Sequence, residues 1–134
     1  MSATQTVIGG TVLVGLLTLA VDMVTPAPPA IVVHDLHYED GIMFQDRTVS
    51  AEGGEPVFYA FWTAKILDAE TNVAVCSGEG AFPYAVGRRN VQIELSEWVG
   101  EPCDLPPGTY RPVAAWSWGY DQTSHAGHVF TIEE

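Results

Sequence analysis

The chain is poor in positive charge. It carries 5 Lys plus Arg against 17 Asp plus Glu, a formal net charge of -12 over 134 residues. Such a surface repels nucleic-acid phosphates, which argues against DNA or RNA binding. It also argues against docking onto an anionic leaflet through a basic patch. Cysteine is limited to Cys76 and Cys103, with no C-x-x-C spacing, so neither a redox motif nor a thiolate metal site is indicated. The G-x-S-x-G, H-E-x-x-H and Walker patterns are missing, as is the D-x-D-x-D-G calcium loop. Ser77-Gly78-Glu79-Gly80 is not followed by a helix signal, which a phosphate cradle requires. Asp40, Asp68 and Asp104 fall in turn-like stretches, where carboxylates ordinarily cap backbone donors. A hydrolase would need two carboxylates converging in a cleft, and the acidic surface explains the carboxylates without that chemistry. The chain therefore reads as a non-enzyme with no cofactor.

What is present begins with an apolar run. From Val7 to Ala20 every side chain is apolar, Gly or Thr, and Asp22 is the first charged one. As a helix, Val7 to Val24 would rise roughly 27 Å, just under the ~30 Å hydrocarbon thickness of a bilayer. Residues 1–25 are read as one membrane-spanning helix. A signal peptide cleaved near Ala30 and a buried helix are the competing readings. No Lys or Arg precedes the run, which disfavours the signal peptide. Gly9, Gly10 and Gly15 would let such a helix pack closely on others. Pro26, Pro28 and Pro29 then stop the helix and make residues 26–29 a short stiff spacer.

Residues 30–134 carry strand signals at short intervals. Apolar or β-branched runs occupy 30–39, 42–50, 56–68, 73–81, 90–96, 109–121 and 127–133, separated by Gly, Asp, Asn and Pro. In 56–68 the period of two puts Phe58, Ala60, Trp62, Ala64 and Ile66 on one face and Tyr59 and Phe61 on the other. A strand apolar on both faces is central, or meets another protein on one of them. No segment after Pro29 has a 3.6-residue apolar period. About seven strands in roughly 100 residues predict an all-β, immunoglobulin-like (Ig-like) antiparallel β-sandwich behind the transmembrane helix. Cys76 and Cys103 are expected to pair in an exported domain, where the bridge would pin a long connection to the sheet. Anchor and disulfide together predict a single-pass membrane protein with its C-terminal domain on the periplasmic or extracellular side.

The stretch from Asp104 to Ser117 resembles the turn that opens a late strand in Ig-like and fibronectin-like sandwiches. Leu105, Gly108 and Tyr110 match that pattern, which implies a Tyr110 hydroxyl bonded back to upstream backbone. Pro112 stands where an antibody-type domain has its second Cys. The order of motifs over 57–118 also resembles small bacteriophage and prophage proteins, and that resemblance implies a virion-associated or envelope role.

Two groups of side chains are candidate sites. Trp116, Trp118 and Tyr120 alternate along a strand and, if exposed, would form a partner-binding platform; buried, they are core. His34, His37, His125 and His128 form two i, i+3 pairs, which a strand turns to opposite faces. One His from each pair meets the other only if the first and last strands lie together, with Asp35 or Asp121 nearby as a copper or zinc ligand. Ordinary surface histidines are the simpler reading. The leading function is a non-enzymatic, membrane-anchored structural or interaction module. It would serve as a virion or envelope component, or as an accessory subunit packed on other membrane proteins. The alternative is a periplasmic metal-binding sandwich.

Overall fold

The computed structural model describes residues 30–134. The apolar helix expected over 1–25, with Gly9, Gly10 and Gly15, and the spacer 26–29 lie outside the described residues. Among the described residues, no helix is long and apolar enough to cross a membrane.

The described chain is all-β, built as two antiparallel sheets that enclose one core. The first sheet contains β1 (Ala30–Glu39), β2 (Ile42–Ser50) and β5 (Gly87–Glu94), in the order β1-β2-β5. The second contains β3 (Val57–Asp68), β4 (Ala74–Ala85), β6 (Gly108–Trp118) and β7 (Asp121–Ala126), in the order β4-β3-β6-β7. β8 (Phe130–Ile132) pairs with the opening residues of β6. The fourth strand thus joins the third, whereas antibody constant domains place it beside the fifth. One short helix, α1 (Leu95–Val99), follows β5.

Local sequence explains most of these elements. β1 and β2 form a hairpin closed by Asp40 and Gly41, whose φ angles of 50° and 87° make the two-residue turn that matches strand twist. After β3, the Asp68 carboxylate accepts the N–H groups of Glu70 and Thr71 and so builds the turn into β4. Along β3, the inward residues Ala60, Ala64 and Ile66 are buried, as the period of two requires. Leu36, Met43, Val49, Ile66 and Val99 meet between the sheets with essentially no exposure. Each such side chain contributes about 1.5–3 kcal/mol of apolar burial.

Eight strands form where about seven were expected: β7 is the additional one, and three expected boundaries also move. β4 runs on to Ala85 through Gly78, Gly80 and Pro83, residues that ordinarily mark a break. It is an edge strand, where proline and glycine are tolerated because one row of backbone groups faces away from the ladder. The long strand expected over 109–121 stops at Trp118, and Gly119 and Tyr120 turn the chain into β7. The expected extension of β5 to Ser96 is instead α1, whose Leu95, Trp98 and Val99 point into the core.

Three bonds outside the ladders fix the connections between elements. The Tyr110 hydroxyl donates to the Pro106 carbonyl at 2.6 Å, pinning the loop that leads into β6. At the opposite edge, the His128 N–H donates to the Leu36 carbonyl at 2.9 Å and stitches β1 to the segment after β7. The Cys76–Cys103 disulfide joins β4 to the connection after α1.

Candidate functional site

Three places on the domain carry chemistry beyond packing. The first is the outer face of the second sheet. Tyr59 and Phe61 alternate with buried Ala60 and project outward from β3. In register they oppose Pro83 and Ala81 of β4, and Phe61 also opposes Ser117 of β6. Their neighbours are therefore small, and the two rings stand above the sheet at 74% and 66% exposure. Tyr120, wholly exposed, projects from the β6–β7 turn at the same end of the sheet.

Trp116, Trp118 and Tyr120 do not share one face. Trp116 is buried, and its Nε1–H donates to the Tyr84 hydroxyl at 2.9 Å. Trp118 also turns inward, with its ring 5.2 Å from Phe58 in an edge-to-face pair and its Nε1 buried without a partner. Only Tyr120, beyond the strand end, meets solvent fully.

The second place is the seam where β1 meets the segment after β7. Asp35 lies between His37 and His128: the His37 Nδ1 bonds one carboxylate oxygen, and the His128 Nε2 bonds the other at 2.9 Å. An ionised carboxylate only accepts, so both imidazole nitrogens must carry the proton. Partial burial pushes the Asp35 carboxyl upward, but the bonds from His37 and His128 outweigh it and hold the group below the usual carboxylate value. β1 and the segment between β7 and β8 bring together one histidine from each pair, His37 and His128, with ring centroids 6.4 Å apart. His34 instead bonds Thr48 at 2.7 Å, and His125 lies on β7 opposite Ala114. Among the described residues, no group of three or more His, Cys, Asp and Glu is arranged to hold a metal ion.

The third place is a cleft of about 270 Å³ between the sheets, entered between the edge strands β4 and β5 and roofed by α1. Trp62, Tyr84 and Trp116 form its second-sheet wall, and Gln45 and Arg47 of β2 form the other. The Trp98 Nε1–H donates to the Gln45 Oε1 at 3.1 Å, so the Gln45 side-chain carbonyl is partnered. The Arg47 guanidinium stacks over the Tyr84 ring, 5.0 Å from its centroid. Burial lowers the Arg47 pKa from its ordinary value and raises that of Tyr84.

Arg47 and Gln45 were not picked out from sequence, although a signal existed. Met43 and Val49 face the core, and the period of two puts Gln45 and Arg47 on the same inward row. Two polar residues on a core-facing row mark a site that packing alone does not require.

Compared with known protein families and characterised proteins, the chain matches no family model and no characterised protein.

Proposed function

We propose that this protein is a non-enzymatic, membrane-anchored interaction module: an Ig-like or fibronectin-like sandwich held by the apolar segment 1–25 and docking another protein. The observation that carries the reading is the exposed pair Tyr59 and Phe61 on the outer face of the central strand β3. Aromatic rings that stand free on small neighbours are the typical anchors of a protein interface, where they supply contact area at little entropic cost. The strand order, the Tyr110–Pro106 hydrogen bond and the disulfide support the Ig-like assignment and an oxidising location. The partner is another membrane-embedded subunit or a virion or envelope protein, and not a nucleic acid.

The test is purification of the full chain from membranes in mild detergent, beside a Tyr59→Glu/Phe61→Glu variant. A defined co-purifying protein in stoichiometric amount, lost in the variant while the melting temperature is kept, supports the docking role. Recovery of the lone chain in both preparations overturns it. Alkaline washing tests the anchor separately: a chain released from the membrane by carbonate is not membrane-spanning.

A further inference from the structure

The inward row of β2 places a guanidinium where a sandwich ordinarily has an aliphatic side chain. Arg47 is only 8% exposed, and its Nε is buried with no hydrogen-bond partner. Among the described residues, none of the ion pairs involves Arg47, although Glu97 also lines the cleft. The cation is opposed in register by Arg89 of β5, so two of the chain's five basic residues face each other across one ladder. Like charges directly opposed destabilise a sheet, and a desolvated cation without a counter-charge is costlier still. In a chain of net charge -12, with acidic residues abundant elsewhere, the missing counter-charge is a specific feature.

We propose that the inter-sheet cleft binds a small organic carboxylate with an aromatic body. Its carboxylate pairs with Arg47, and its ring lies against Trp62 and Trp116. The shape of the site supports each half of that description. Arginine presents a planar fork that matches a carboxylate bidentately. The Tyr84 ring covers the guanidinium from one side, 5.0 Å away. Apart from Gln45, Thr63 and Glu97, the walls beyond it are aromatic and aliphatic, with Ile93 and Ala114 completing the apolar lining. A cavity of roughly 150 Å³ already accepts a benzene ring, so about 270 Å³ holds a ring together with an acidic group. The inference goes beyond the docking role, because Tyr59 and Phe61 face away from the cleft on the opposite side of β3.

The test uses the full chain in a nonionic detergent, titrated with phenylacetate, with its neutral isostere phenylacetamide, and with inorganic phosphate. Heat of binding and tryptophan fluorescence are both read, since Trp62, Trp98 and Trp116 line the cleft. The expected result is saturable phenylacetate binding, with phenylacetamide weaker by about 10-fold or more. Arg47→Met should remove that acid-over-amide preference while the melting temperature stays at or above the wild-type value. Should Arg47→Met fail to fold, Arg47→Lys keeps the charge without the fork and should weaken phenylacetate by a smaller factor. Equal binding of acid and amide, binding of phosphate alone, or no saturable binding of phenylacetate would each overturn the proposal. Each of these results leaves the Tyr59/Phe61 docking test untouched, so the two readings fail separately.

Discussion

Removing the disulfide isolates a single covalent constraint whose size follows from the chain itself. Cys76 and Cys103 are 27 residues apart, and their bridge ties the edge strand β4 to the loop after α1. In the chain-entropy view, closing a loop of that length removes about 12 cal/mol/K from the unfolded ensemble, or about 3.6 kcal/mol at 25 °C. For residues 30–134, an unfolding entropy of about 2.1 cal/mol/K per residue totals about 0.22 kcal/mol/K. The quotient predicts a fall in melting temperature of roughly 15 °C. The variant should be Cys76→Ala/Cys103→Ser, because Cys76 is buried and a hydroxyl there would add an unpaired polar group. Thermal unfolding of the full chain, followed by near-ultraviolet circular dichroism, reads the effect. Wild-type protein treated with a phosphine reductant provides an independent arm with no change of sequence. Agreement of the two arms near the predicted fall supports the entropic account. A fall below about 5 °C in both would refute it, because the loop would then be restrained in the unfolded chain by something other than the bridge.

Further perturbations test other parts of the fold. Gly78→Ala should destabilise by about 3 kcal/mol, the upper range for overpacking, because a Cβ there would lie 1.7 Å from the Val99 carbonyl oxygen. Urea unfolding checks it, and a change below about 0.5 kcal/mol would mean that α1 is not held against β4. Tyr110→Phe should cost about 1 kcal/mol through loss of the hydroxyl bond to Pro106; an unchanged urea midpoint would show that the loop needs no such tie. Asp68 is held below its ordinary value near 3.8 by the N–H groups of Thr71 and Glu70. A depressed folded pKa contributes stability above the unfolded value and loses it as pH falls through the folded one. The stability gap between wild type and Asp68→Ala should therefore narrow as pH falls below the unfolded value near 3.8, and a gap that stays constant on acidification would reject the assignment.

The two-residue alternation of β3 was legible in sequence, because a half-buried strand imposes it directly. The β1–β2 hairpin was equally legible, since Asp40-Gly41 is turn chemistry that few other conformations favour. The β4 extension was not, because glycine and proline report local preference while an edge position changes what the ladder demands of them. The β6–β7 turn was hidden by aromatic residues on both sides of Gly119. Among site residues, the convergence of His37 and His128 was foreseeable only as a condition on topology, and the crossing of β1 with the last segment met it. The cleft was not visible because its walls come from five strands and a helix, and no linear pattern records which inward residues lack a counter-charge.

Edges decide how such a domain behaves when many copies stand close together. Two unpaired strand edges flank the cleft, and each is poorly suited to recruiting a neighbour. β4 offers Pro83, which lacks an N–H, and Gly78, over which the Val99 carbonyl sits too closely for even a methyl group. β5 offers Arg88, Arg89 and Asn90, a hydrated stretch with little tendency to pair with a foreign strand. Crowded on a surface, copies of this chain should remain separate bodies and resist fusing into continuous fibrils, leaving the aromatic face free for a chosen contact.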